Sequence, residues 1–217
     1  MANRFVYYVD PTDLFNFKKA DVSFKWFPGF SKEQKQKSIK ELHQQFLNLN
    51  ITDKLLEVSS KSEKSIGVKA SAFNLKISTV KGHHLSVEQI FQSSKVYKKA
   101  GNQNYLLEEG YNSKEMKQKL REIDKDDYMI KYSSFHQDFP LEPKTLFYNW
   151  IYINALNQNE EVAKEILKYE AFTDIEFNPK RSFNCQAEAC AIYVSLVKQK
   201  NLDEALKNIQ TFESIVY

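Results

Sequence analysis

Turn-forming residues are scarce in this 217-residue sequence, which has five glycines and five prolines. That scarcity argues against an all-β fold of many short strands and tight turns. Cysteine is rarer still. Cys185 and Cys190 are the whole complement, and they stand five apart on a segment that reads as helix. Such a pair makes neither a disulfide framework nor a zinc site. His83 and His84 are adjacent in a turn, do not converge as metal ligands, and have no evident third partner. No apolar run approaches the 18 or so residues of a membrane-crossing helix, and no signal peptide opens the chain. The expectation is a cytoplasmic protein with reduced thiols, with no membrane, metal or cofactor involved. A strong charge bias is also missing. The 31 basic and 28 acidic residues leave a net charge of +3. That balance permits an anionic ligand but does not announce a nucleic-acid binder.

What is present is a large hydrophobic content. Hydrophobic residues make up 42% and aromatics 14%, enough for the core of one domain or one domain with an elaboration. Residues 4–9 read as a short strand ended by Asp10-Pro11. Phe24, Trp26, Phe27 and Phe30 surround Pro28-Gly29 as a hydrophobic clasp, with a stacking platform for a base as the alternative. Ser31 caps a basic helix to about Asn48. Ile39, Leu42, Phe46 and Leu49 form its buried face, while Lys32, Lys35, Lys37 and Lys40 face solvent or, alternatively, phosphates. Further strands are expected at 54–58 and around Phe73, Leu75 and Ile77, separated by a polar loop at 59–64. Asn112-Ser113 starts a charged helix to about Ile123. His136 lies in a loop, where a general base is the minority reading. Helices follow from Leu146 to Leu156 and from Gln158 to Tyr169, with a last one after Asn201.

The stretch from His84 to Tyr97 organises the rest. Ser86 is a natural N-cap, and Val87, Ile90, Phe91, Ser94 and Tyr97 follow at helical spacing. Glu88, Gln92 and Lys95 then fall at i, i+4 and i+7, so an acid, an amide and a cation share one stripe. Glu88 lies near the positive end of the helix dipole.

The string Glu88-x-x-Phe91-Gln92-x-x-Lys95 resembles the hallmark helix of the NADAR family, approximately Pro-Thr-x-Glu-His-x-Phe-Gln-x-x-Lys-Phe. The preceding segment is similar too: Leu56 to Lys61 as strand and Ser-rich turn, Ser71-Ala72-Phe73-Asn74-Leu75 as the Phe-x-Asn-Phe-like loop, then a hairpin through Lys81-Gly82. The likeness covers about residues 55–200 and is strongest at 56–96. It implies a mainly α (α+β), NADAR-like helical domain over 51–217, with a few short strands making a small sheet beside the pocket. Residues 1–50 have no counterpart and are expected to pack on it as an N-terminal extension.

A second block of interest runs from Phe172 to Glu188. Ile175 and Phe177 alternate with Asp174, Glu176 and Asn178, which reads as a strand with one polar face. A turn carrying Lys180 and Arg181 follows, and then a helix from about Asn184 to Lys200. A polar edge, two cations and a helix start suit an anion. The family places there an acid, a Trp-Gly-rich loop and an Asn-x-x-Gly helix start. This chain keeps an acid and an Asn. It has Phe177 at the Trp position and Pro-Lys-Arg-Ser-Phe in place of the glycine-rich loop, and the helix glycine is replaced by alanine or glutamate.

NADAR proteins are N-glycoside hydrolases that remove ADP-ribose from guanine bases or split amino-pyrimidine ribose phosphates. The resemblance therefore implies hydrolysis of an ADP-ribosyl or ribosyl-phosphate nucleoside, and foremost removal of ADP-ribose from a guanine base. Breaking a ribosyl C1′–N bond passes through an oxocarbenium-like transition state. It needs a carboxylate for the positive charge or for water, and a donor for the departing base. On this reading Glu88 is the carboxylate, and Asp174 or Glu176 is the second acid. Lys61, Lys95 and Arg181 hold phosphates. Asn74, Gln92 and Asn178 read the ribose or base, and Phe73, Phe177 or Phe183 stacks on it. Ser60 and Asn184 complete the binding set. The partners are a nucleotide or an ADP-ribosylated nucleic acid and, in one alternative, a cognate toxin. The alternatives are a non-catalytic ADP-ribose or NAD binding module, which the departures at 177–189 favour, and an antitoxin or phage-defence interaction protein acting through helix 31–48.

Overall fold

The computed structural model describes residues 1–10, 17–80, 82–180 and 182–217. The chain begins β1 (Ala2–Val9), β2 (Phe17–Phe24), α1 (Lys32–Leu47), β3 (Leu55–Glu57) and α2 (Ser65–Lys69). It continues β4 (Lys76–Ser78), β5 (His84–Ser86), α3 (Val87–Ser93), β6 (Lys95–Tyr97), β7 (Gly101–Asn102), α4 (Tyr105–Glu108) and α5 (Ser113–Ile123). Then come β8 (Met129–Ser134), β9 (Gln137–Phe139), α6 (Leu146–Gln158), α7 (Glu160–Ile166) and β10 (Ala171–Thr173). The last elements are α8 (Gln186–Lys198), α9 (Leu202–Ala205) and α10 (Ile209–Val216).

Helices hold 42% of the residues and strands 20%, and the strands form three sheets. This is an α+β fold, which corrects the expectation of a mainly helical one. The reason is strand length. β3, β4, β5, β6, β9 and β10 are three residues each, too short to show a period of two. Their partners are often remote: β3 pairs in parallel with β10, Leu56 opposite Phe172.

Two compact units divide the chain. One comprises Met1–Ser71 and Asn159–Tyr217, the other Ala72–Gln158. In the first unit four strands run in the order β2-β1-β10-β3. β1 is antiparallel to both β2 and β10, so the segment expected as an N-terminal extension shares its sheet with residues 171–173. Val6, Val22 and Phe24 on the sheet and Ile39, Leu42 and Phe46 on α1 make one buried cluster. Burying each such side chain contributes about 1.5–3 kcal/mol. Ser31 caps α1 as expected, its hydroxyl accepting from Gln34 N at 3.3 Å. Leu49 and Phe30 do not join the core. They are half and almost wholly exposed, so the aromatic clasp closes without Phe30, and within it the rings of Phe24 and Trp26 meet edge to face. The next residues of β1, Tyr7 and Val9, point to the opposite face by the alternation of a strand. There α8, buried along most of its length, packs against β1 and β10.

The second unit carries the hairpin β4-β5 and the sheet β7-β6-β8-β9. Phe91, Tyr132, Phe139 and Phe147 pack ring on ring, with Tyr132 and Phe147 centroids 4.6 Å apart. Tyr97, Leu106, Met116 and Leu120 form a separate small core under α4 and α5.

Two further expectations are corrected. The helix expected to run to Tyr97 stops at Ser93, because the Ser93 and Ser94 hydroxyls both bond to Ile90 O. Val96 and Tyr97 then pair with β7 and β8, as β-branched and aromatic residues favour. The strand expected through Asp174 to Asn178 is a turn. β10 ends at Thr173, and the Asp174 carboxylate takes the N–H groups of Glu176 and Phe177, both at 3.1 Å.

Candidate functional site

Chemistry-bearing side chains gather in two clusters, one inside each unit. In the second unit the cluster starts at α3. Ser86 and Gln89 cap the helix reciprocally, and Glu88 N is fixed on Ala72 O at 2.9 Å. Glu88 is buried, 6% exposed. Its Oε1 accepts from Gln92 Nε2 at 2.8 Å and faces Lys117 Nζ at 2.7 Å. Lys117 comes from α5 and is absent from the expected set. Its ammonium also lies 4.8 Å from the ring centroid of Phe73, an exposed aromatic in the turn before β4. Carboxylate, amide, cation and ring are therefore held in one patch. Lys95 is not on the helix stripe but on β6, its Nζ 5.7 Å from the Phe91 ring. Burial lowers its pKa, with Asp124 and Glu88 opposing and Lys117 adding to the effect. Asn74, beside Phe73, is exposed.

In the first unit the centre is Glu57, 3% exposed at the end of β3. The Thr173 hydroxyl donates to Glu57 Oε2 at 2.6 Å, and Ile175 N donates to Oε1 at 2.9 Å. His43 Nε2 meets the same hydroxyl at 2.8 Å. Burial pushes the Glu57 carboxyl up to about 8, with nearby Asp174 adding to it. Burial also lowers the His43 pKa to about 4. Asp174 is buried as well. Besides the two turn N–H groups it accepts from Gln186 N at 3.3 Å and Gln186 Nε2 at 2.9 Å. Its pKa rises to about 6 because burial outweighs those donors. Asp174 thus ties the turn after β10 to the first residue of α8.

Glu176 is exposed and faces Ser60 Oγ at 3.0 Å and Lys61 Nζ at 3.9 Å. Phe177 is buried and Phe183 exposed. Asn178 Oδ1 accepts from Lys180 N at 3.0 Å. The Asn184 amide oxygen is buried with no hydrogen-bond partner among the described residues. Arg181 lies outside them. The structure therefore brings Ser60, Lys61 and Glu176 together in one unit, and Glu88, Gln92, Lys95 and Phe73 in the other.

Sequence reasoning missed a group on β1 and α1. Trp26 carries the Arg4 guanidinium 5.2 Å from its ring centroid and the Lys35 ammonium at 4.5 Å. Lys35 is thus not a solvent-facing member of a charged face. Burial lowers the pKa of both cations, opposed first by Asp174 at Arg4 and by Glu176 at Lys35. Arg4 Nε is buried without a hydrogen-bond partner among the described residues. The available signal was the basic and aromatic run at 24–35. What it lacked was the pairing of Arg4 with Val22, which brings the head of the chain alongside that run. Both cysteines are buried, and neither is in a disulfide. Among the described residues no three His, Cys, Asp or Glu side chains converge as metal ligands, and no helix is long and apolar enough to cross a membrane.

No curated protein matches the chain. A family model does, the one described as DarT1-associated NADAR antitoxin, and it matches residues 2–217. Spanned almost end to end by that match, this chain belongs to the family of DarT1-associated NADAR antitoxins.

Proposed function

We propose that this antitoxin is an N-glycosidase that removes ADP-ribose from a guanine base, undoing a modification made by its cognate toxin in phage defence. The observation that carries the reading is the buried Glu88 carboxylate, clamped between Gln92 and Lys117 beside the Phe73 ring. Glu88 offers a fixed negative oxygen to the positive charge that develops at C1′ as the base departs. Water adds to C1′, its proton is lost, and the base leaves with a proton on nitrogen. Phe73 gives the base a face to stack on. Lys95 and Lys117 supply cations, and fixed groups of this kind act before any reorganisation is needed.

The first unit supports an anionic ligand in its own right. Arg4 Nε and Asn184 Oδ1 are a buried donor and a buried acceptor without partners among the described residues. Such groups cost about 1–3 kcal/mol each when left unmet, and a ligand's polar atoms would meet them. Of the two acids proposed there, Glu176 is the accessible one, while Asp174 is committed to four donors.

A second reading is a binding module that holds ADP-ribose without turnover. The replacement of the glycine-rich loop by Pro179 to Phe183 favours it. Calorimetry with ADP-ribose, run beside a turnover assay on ADP-ribosylated guanosine, separates the two. Release of ADP-ribose supports the glycosidase, and tight binding with no release selects the module.

A further inference from the structure

The second unit holds a pocket of about 310 Å³ that the site above does not use. The end of the β4-β5 hairpin, the β8-β9 hairpin and α6 enclose it. Its walls include the rings of Phe135, Phe139 and Trp150, and its polar residues are Ser78, Thr79, Gln137, Asn154 and Gln158. Among the described residues no charged side chain lines it, although 27% of the chain is charged. Charge is what phosphates need, and an uncharged pocket walled by rings suits a flat neutral ligand. Its size is at the low end of the range of about 300–1,000 Å³ for small-molecule sites, room for one base and its sugar.

The amides are already oriented. Asn154 Nδ2 donates to Trp150 O at 2.9 Å, and Gln158 Oε1 accepts from Ser78 N at 3.0 Å. An acceptor, Asn154 Oδ1, and a donor, Gln158 Nε2, are left for a ligand. An acceptor near a donor is what the edge of a nucleobase pairs with.

A separate observation points to the same place. The β8-β9 hairpin turns on Phe135 and His136, with φ of 51° and 61°. A two-residue turn of this hand ordinarily takes Asn-Gly, because a bulky side chain is strained there. The strain is kept, and with it an exposed phenyl ring lines the pocket. Backbone strain of this kind collects where a ligand is handled.

We propose that this pocket binds a nucleobase as the neutral nucleoside, between the Trp150 and Phe135 rings, with its edge read by Asn154 and Gln158. The site does not depend on the glycosidase reading, since Glu88 is no part of it. The test uses Trp26→Phe protein, in which Trp150 is the sole tryptophan, titrated with guanosine, adenosine, cytidine and uridine. Saturable quenching of Trp150 by at least one nucleoside is expected, weakened at least fivefold in Asn154→Leu and absent with ribose 5-phosphate. Phe135→Gly relieves the turn, so its melting temperature should rise while nucleoside binding weakens at least threefold. No saturable quenching by any of the four overturns the proposal. So does quenching that Asn154→Leu and Phe135→Gly both leave unchanged in folded protein, or equal binding of ribose 5-phosphate.

Discussion

Lys117 Nζ lies 2.7 Å from Glu88 Oε1, joining two helices whose residues are 29 positions apart. The acid is buried, while the lysine side chain keeps 38% of its surface, so solvent screens part of the attraction. Removing the cation leaves a buried carboxylate held, among the described residues, by the Gln92 hydrogen bond and the more distant charge of Lys95. Lys117→Met should therefore lower stability by about 1–2 kcal/mol, between an exposed pair and a fully buried one. The double variant Glu88→Gln, Lys117→Met should recover part of that loss. Thermal melts of the wild type, the two single variants and the double variant give the coupling, and strict additivity would show that the pair does not interact.

Glu57 makes stability depend on pH. Its folded pKa is about 8, above the ordinary glutamate value of 4.5. The folded state therefore holds the proton more tightly than the unfolded one. The resulting stability is complete below about pH 4.5 and is lost as pH rises toward 8. His43 acts at the other end. Its folded pKa is about 4, below the ordinary 6.5, so stability falls as pH drops from 6.5 toward 4. The two effects oppose each other between about pH 4.5 and 6.5, and above that Glu57 acts unopposed, so melting temperature should decline from about pH 6.5 to pH 8. In Glu57→Gln the upper decline should flatten. A wild-type melting temperature that climbs from about pH 6.5 to pH 8 would count against the buried proton.

Gly67 is where the backbone of α2 meets the end of β3. A Cβ at this position would lie 2.0 Å from Glu57 O and 2.4 Å from Ser62 Oγ. The nearer atom is backbone, so the neighbour cannot rotate away. Gly67→Ala should cost about 1–3 kcal/mol or more through overpacking, near 2–4 °C of melting temperature per kcal/mol at this size. Circular dichroism melts check it. A melting temperature within a degree of wild type would mean that α2 is free to shift.

Asp174 has four donors on its two oxygens. Asp174→Asn turns one acceptor into a donor that faces other donors. The change should cost about 1–3 kcal/mol and should loosen the start of α8. Amide hydrogen exchange at Phe177 and Gln186 should speed up in the variant. Unchanged exchange at both would remove Asp174 from its role in holding the turn.

These side chains also show where the sequence was readable. α1 and α5 follow from periodicity and from their caps at Ser31 and Asn112, and the structure places both as expected. The start of α3 at Ser86 was legible for the same reason. Its end was not, because Val96 and Tyr97 are claimed by strand residues more than thirty positions on. The alternation at 174–178 is real in sequence, but the Asp174 carboxylate spends it on a turn. Lys117, Arg4 and Lys35 were invisible as site residues, since each gains meaning only from a remote partner: Glu88 for the first, Trp26 for the other two. The family could be recognised from Glu88, Phe91, Gln92 and Lys95 because that string is local.

The central claim is that Glu88 does chemistry. Its most direct test compares wild-type and Glu88→Gln protein, of matched melting temperature, in releasing ADP-ribose from ADP-ribosylated guanosine. Wild type should turn the substrate over, and the variant should lose a factor of about 10²–10⁴ in kcat. Release by Glu88→Gln at the wild-type rate would contradict the claim.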